Sequence, residues 1–353
     1  MRILLMTDKL IMGGAEIYFC KLENLLEKEF SKDASFFTAA AGGELIEKIR
    51  NRTNFIPLTR KRHLVNLVRL CREVKKREID VIHANSLRMV FYAIGIKMMV
   101  RKKLKIIYTK HNVTFFEKHN KRLLVRLLNS SINRVITVSD HERENLLRIG
   151  VKPEKVITIH NGVDLSQFSY HQKNSEKSVF HIGILGRLSE EKNHKLFLDI
   201  AKSLKNVSGL MFHIAGNGPE LSRIKEIIKE YDLTDRVVLL GEVNAPEKFI
   251  ADMDVLLLTS HREVFPMVLL EAMAVGTPII SVNTGGISEA IDDNETGFLI
   301  SNYSVQAFIE KIMEMRANDM VRDSFSRSGR IKVESQFTSE NMTKLTLNEY
   351  LNL

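Results

Sequence analysis

The chain has 353 residues, 44% of them hydrophobic, which is enough for two domains, each with its own core. Its net charge of +9 is unevenly spread: residues 1–170 hold 32 Lys and Arg against 17 Asp and Glu, whereas the remainder holds 20 against 26. The longest near-apolar run, residues 89–100, contains Lys97, is too short for a bilayer span and reads as a buried helix; Cys20 and Cys71 lack metal-ligand spacing and read as reduced, buried thiols.

Residues 2–7 form too short an apolar run for a signal peptide and predict a first β-strand, hence a cytoplasmic protein. A loop over residues 8–16 carries Gly13, Gly14 and Glu16 ahead of a helix from about 15 to 29. A Gly-Gly pair alone marks a turn, but this one follows the first strand of a βα unit, where open parallel sheets bind ligands. Strands near 35–38, 54–58, 81–83, 106–109 and 135–138 alternate with helices, which predicts a parallel, doubly wound sheet. His83 and His111 each end one of these strands. A lone histidine there is commonly a hydrogen-bonded structural residue, and for His83 both that reading and a functional one stand.

The basic excess gathers at Arg60-Lys61-Arg62, in 97–105 and in 119–128. In the last segment Leu123, Leu124, Leu127 and Leu128 share a helical face that excludes Lys121, Arg122 and Arg126. Such a helix either faces a core with a solvated back or lies on an anionic membrane. The charge division suggests that the first half meets something anionic, a membrane surface or an acidic acceptor.

Residues 155–164 run from a strand into the turn Asn161-Gly162-Val163-Asp164, and the polar stretch 165–178 reads as a linker. A second alternation follows, with strands at 180–185, 210–215, 236–241, 255–258 and 297–300 and helices near 304–316 and 320–332 and from about 339. Arg187 and Lys192 flank the loop after the first of these strands, and Gly216 and the turn Gly241-Glu242-Val243 follow the next two. Asp252-Met253-Asp254 imitates a metal-binding D-x-D pattern but leads into a strand, so no metal role is expected for it.

The stretch 254–286 carries most of the chemistry. A helix is predicted from Met267 to about Ala274, with Pro266 near its start, which puts Glu263 on the loop ahead of it and Glu271 inside it. The helix N-terminus, with the amides of Phe265, Met267 and Val268, then offers an anion site between two carboxylates. Glu263, seven intervening residues and Glu271, followed by Ala272-Met273-Ala274, Gly276-Thr277-Pro278 and Gly285-Gly286, resemble the signature of retaining glycosyltransferase family 4. Val264 departs from the pattern, standing where a glycine is common.

The resemblance covers nearly the whole chain and implies the GT-B fold: two Rossmann-like parallel-sheet domains facing a cleft. It implies an acceptor domain at 1–165, a linker at 166–178, a nucleotide-sugar domain at 179–335 and a helix at 336–353 that crosses back to the first domain. It also implies that Arg187 and Lys192 grip the donor diphosphate, that Glu263 and His111 lie by the donor sugar and that Glu271 binds the ribose. Gly13, Gly14, Glu16, Gly216, Glu242, Val243, Phe265, Pro266, Met267 and Val268 would line the substrate. The expected activity is metal-independent, retaining transfer from a nucleoside-diphosphate sugar, with UDP favoured by family frequency, to a glycan or lipid-linked acceptor in surface-polysaccharide synthesis. No cofactor and no nucleic acid are expected. The alternatives are a sugar-nucleotide epimerase or hydrolase of the same fold and a basic nucleic-acid-binding protein.

Overall fold

The structure, a computed structural model, describes residues 1–112, 114–172 and 179–353. Its first sheet is built from β1 (Arg2–Lys9), β2 (Ser35–Ala41), β3 (Phe55–Leu58), β4 (Val81–Ala84), β5 (Lys105–Lys110), β6 (Arg134–Thr137) and β7 (Val156–Thr158). They lie side by side, all parallel, in the order β3-β2-β1-β4-β5-β6-β7. The second sheet uses β8 (Phe180–Leu185), β9 (Leu210–Ala215), β10 (Val237–Gly241), β11 (Val255–Leu258), β12 (Ile279–Val282) and β13 (Phe298–Ile300), again parallel, in the order β10-β9-β8-β11-β12-β13. Helices cover both faces, which is why a strand such as β11, Val-Leu-Leu-Leu, is buried along its whole length and shows no alternation.

Both orders reverse direction once, between β1 and β4 in the first sheet and between β8 and β11 in the second. At such a switch point the flanking loops leave in opposite directions and open a crevice beyond the carboxyl ends of the strands. The loops singled out in the sequence leave from these strand ends.

The chain divides into one unit comprising Met1–Gly162 and Ser339–Leu353 and another comprising Val163–Thr338. The last helix, Ser339–Leu351, belongs to the first unit because Met342, Leu347 and Tyr350 complete the apolar core on one face of the first sheet. Arg134 pairs with Glu349 at 2.6 Å, and the Tyr350 hydroxyl lies 2.5 Å from His83 Nδ1. The polar stretch read as a linker is, over its described part, a segment of the second unit: Phe168 is buried, His171 N donates to Val275 O, and Tyr170 meets Ser326. Positions 173–178 of that stretch lie outside the described residues.

Helix Leu87–Val100 is buried only on its inner side. Met89, Val90, Tyr92, Ala93 and Ile96 enter the core, whereas Phe91, Met98 and Met99 are exposed. The expectation of a wholly buried helix is corrected there, because the neighbouring helix His63–Lys76 covers one side of it alone.

Candidate functional site

In the second unit, the backbone of the loop after β8 sets the geometry. Gly186 N donates to Ala215 O, Leu188 N to Asn217 O and Lys192 N to Ser189 O, so the loop is stitched to the end of β9 and turns back on itself. Gly216 has φ +139°, and a Cβ there would collide with the Gly186 carbonyl, so the close approach of the two loops requires glycine. Arg187 is exposed on this loop, and Lys192 is half-buried.

Thr259 Oγ1 lies 3.0 Å from Lys192 O and 3.1 Å from Asn193 O, binding the strand end of β11 to the β8 loop. The next residues bring Glu263 back toward Lys192: its Oε1 accepts from Lys192 Nζ at 2.6 Å and from Ser260 Oγ at 2.7 Å. Gly285, with φ +61°, packs against the Glu263 carbonyl where a Cβ would collide, and Gly286 N donates to Val264 O at 3.1 Å. These two glycines brace the loop from behind. Val264 needs no left-handed conformation, so its presence in place of glycine does not disturb this path.

The helix that follows runs Met267–Val275 with Pro266 as its N-cap and no side-chain cap. Met267 and Val268 therefore offer first-turn amides beside Lys192, Glu263 and Gly186, with Val268 lining the same recess as those three residues. Phe265, counted in the sequence among the helix amides, lies ahead of the cap and is buried against Phe337 at 5.4 Å, because the helix begins one residue after the proline. Glu271 is buried one turn inside the helix. Glu242 is exposed and Val243 half-buried just beyond Gly241, whose carbonyl accepts from Gly216 N.

His194 lines the same recess. It is buried, neither ring nitrogen has a hydrogen-bond partner among the described residues, and desolvation, followed by the Lys192 charge, pushes its pKa down to about 4. Asp254, by contrast, accepts from His181 N at 2.7 Å where β8 and β11 begin, at the sheet edge opposite Glu263.

In the first unit, Asn85, the residue after β4, joins two of the predicted segments. Its Nδ2 donates to Ala15 O at 3.0 Å, and its Oδ1 lies 2.8 Å from His111 Nε2. His111 packs edge-on against Tyr18 at 4.5 Å, and desolvation holds its pKa down near 3, so it is a neutral imidazole that donates to Asn85 through Nε2–H. His83 is buried between Tyr350 and Thr109, and burial lowers its pKa likewise to about 3. Of its two readings, this packing favours a structural histidine.

A Cβ at Gly13 would meet only the end of the Glu16 side chain, which can turn aside, and Gly14 has open room beside it. Glu16, half-buried in the first turn of helix Gly14–Phe30, has its pKa raised mainly by desolvation. His111 is held in place from behind by Lys110, whose buried ammonium lies between Glu142 and, at 3.1 Å, Glu117.

Sequence reasoning missed Asn85, Ser260, Thr259 and His194. The available signal was positional: each lies within two residues of the carboxyl end of a strand or loop already singled out.

Two parallel sheets with a ligand crevice at each switch point define a fold class, and solved structures bear this out. Anabaena HepE, solved in complex with UDP-glucose, superposes with a TM-score of 0.86 over 100% of both chains at 19% identity. The chain has the GT-B architecture of such enzymes. The sequence family described as "Glycosyl transferases group 1" matches residues 166–332, and "Glycosyltransferase Family 4" matches residues 12–167. The chain belongs to this glycosyltransferase family. Among characterised relatives, N-acetyl-alpha-D-glucosaminyl L-malate synthase of Bacillus anthracis is 28% identical over 283 residues, 76% of this chain and 74% of that protein. The UDP-Gal:alpha-D-GlcNAc-diphosphoundecaprenol alpha-1,3-galactosyltransferase of Escherichia coli is 26% identical over 298 residues, 77% and 75% of the two chains.

Proposed function

We propose that this glycosyltransferase moves a sugar, with retention and without a metal, from a UDP-sugar held by the second unit to a hydroxyl of a glycan or lipid-linked acceptor held by the first. The observation that carries the reading is the convergence of Lys192, Glu263 and Val268, at the uncapped start of helix Met267–Val275, on one recess, with Arg187 exposed on the loop that also carries Gly186 and Lys192. Cleaving the sugar–phosphate bond develops negative charge on a nucleoside diphosphate. A guanidinium, an ammonium and a helix N-terminus already in place can meet that charge, so the chemistry assigns no task to a divalent cation. Glu263, which accepts from Lys192, orients the donor sugar, while the Lys192 ammonium meets the diphosphate. Glu271, further along the helix, binds the ribose, and the loops at Gly216 and at Glu242-Val243 receive the base. In the first unit Gly13, Gly14, Glu16 and the neutral His111 face the transferred sugar.

The UDP-glucose bound by HepE and the lipid-linked diphosphate named for the Escherichia coli galactosyltransferase support the donor and acceptor classes, and colanic acid and O-antigen relatives support surface-polysaccharide synthesis. No helix among the described residues is long and apolar enough to cross a membrane. Peripheral contact at the cytoplasmic face is supported by a surface on the first unit. In that unit Leu64 is 79% exposed two residues after Arg60-Lys61-Arg62, Met98 is exposed, and Leu123 is exposed next to Lys121 and Arg122 in the chain.

The test is a thermal-shift screen with UDP-, GDP- and ADP-sugars, followed by transfer assays in EDTA. A binder at 100 times its dissociation constant adds about 2.7 kcal/mol of stability. Stabilisation by UDP-sugars and transfer that survives EDTA with the anomeric configuration retained are expected. Metal-reversible loss of transfer, or inversion, would overturn the mechanism, and failure of every nucleotide sugar to bind would overturn the function.

A further inference from the structure

We infer that a second recess, wholly within the first unit, is a subsite for a phosphoryl group carried on a hydroxylated acceptor. This deepens the transferase reading and rests on it. The recess has a volume of about 270 Å³ and lies where the ends of β1 and β3 meet helices His63–Lys76 and Leu87–Val100. It is lined by Lys9, Arg60 and Arg88 against a single carboxylate, Asp8. Three cations and one anion leave a charge of +2, which a phosphate dianion neutralises and a carboxylate monoanion does not.

The wall is built by buried polar groups. Asn66, 3% exposed, accepts from Thr59 N at 3.0 Å and donates to Thr59 O at 2.7 Å, which fixes the turn that presents Arg60. Arg60 Nη2 donates in turn to Gly42 O at 3.2 Å. Asn66 also donates to the Tyr92 hydroxyl at 3.4 Å, and that hydroxyl lies 2.8 Å from His63 Nδ1. With its oxygen accepting from Asn66, the phenol donates its O–H to Nδ1, which leaves the N–H of the ring on Nε2. His63 thereby becomes a donor, as an anion requires.

Asp8 supplies the second element of recognition. Its Oδ1 is buried and accepts no hydrogen bond among the described residues, and Arg88 Nη1 lies 3.6 Å away, beyond hydrogen-bond reach. A buried carboxylate oxygen in this state, ion-paired with Arg88 but accepting no hydrogen bond, suits an O–H donor, and a sugar or polyol phosphate brings one beside its phosphoryl group, so that the phosphoryl oxygens stay on the cations. The phosphoryl group would sit among Arg60, His63 and Arg88 and a neighbouring hydroxyl on Asp8. The exposed Leu64 and Val65 adjoin this rim, so the phosphate could be borne by a lipid or be soluble.

The test is calorimetric titration of the full chain at saturating UDP, which fills the anion site of the second unit, with inorganic phosphate, glucose 1-phosphate and farnesyl phosphate as probes. Arg60→Gln and Arg88→Gln should each weaken glucose 1-phosphate by tenfold or more and leave the UDP dissociation constant within twofold. Asp8→Asn should erase the preference for glucose 1-phosphate over inorganic phosphate without weakening the latter. Tighter binding of farnesyl phosphate than of glucose 1-phosphate assigns the subsite to a lipid-borne phosphate, and the reverse order to a soluble one. The proposal is overturned if UDP binds normally while no phosphate probe binds, or if both arginine variants bind the probes unchanged. Failure of UDP to bind the unaltered protein would strike the transferase reading instead, and titration without UDP would still test the recess.

Discussion

Lys192 and Glu263 lie 71 positions apart in the chain and 2.6 Å apart in space, a pairing no local pattern could announce. The sequence shows both residue types at the ends of strands but not that they pair with each other, nor that Ser260 holds the same carboxylate oxygen. Asn85 was hidden for a similar reason: its partners Ala15 and His111 belong to two other βα loops. Replacing Arg187 or Lys192 by Ala should lower turnover by about two to three orders of magnitude, the usual loss for one transition-state donor, with the circular-dichroism spectrum unchanged. Near-normal turnover in either variant would refute its diphosphate role. The two glutamates should part company: Glu271→Gln should weaken UDP binding in titrations, whereas Glu263→Gln should spare UDP and depress transfer. Equal losses of UDP affinity would show that the carboxylates share one task.

At the scale of elements, most strands were legible because buried parallel strands are short apolar runs bounded by turn residues, and β8, β9 and β11 span the predicted residues. The helix Leu87–Val100 was less so, since an apolar sequence does not tell which side lacks a neighbour; its exposed Phe91 and Met98 are visible only in three dimensions. The short helix Phe115–His119 and the burial of Lys110 were likewise out of reach, because a lysine is read as surface unless its counter-charges are known. Those counter-charges, Glu117 and Glu142, arrive from two following helices, so one ammonium ties three elements together behind His111. Lys110→Met would strand two buried carboxylates. A loss of about 3–5 kcal/mol is expected in urea unfolding, partly recovered when Glu142→Gln is added. An unchanged midpoint would mean that the triad adds no net stability.

For the whole molecule, the parallel two-sheet plan could be read from the βα alternation, but the packing of the polar stretch after residue 165 could not. A polar stretch is an ambiguous mark, and Tyr170 and His171 show that such a stretch can be packed into a unit. The charge asymmetry was legible from counting alone, yet the exposed apolar side chains of the same unit, Leu64, Met98 and Leu123, emerged only with the fold. Each basic side chain near an anionic bilayer contributes about 1 kcal/mol, so a few suffice for reversible attachment. The protein should sediment with phosphatidylglycerol liposomes and not with phosphatidylcholine ones. High salt should release it, and Gln at Lys121, Arg122 and Arg126 should weaken it. Equal sedimentation with both lipids, or none at low salt, would leave these charges as a solvated face.

The junction of the second unit carries a further consequence. Val163 and Thr338, its first and last residues, are paired in one β-bridge, and Val163 N donates to Phe337 O at 2.9 Å. A module whose two ends adjoin can be lifted out and its frame resealed by a few residues, since Gly162 and Ser339 are each one peptide step from that bridge. Under the proposed division of labour, donor recognition would be encoded as a single uninterrupted cassette, 163–338, that recombination can exchange whole between host frames.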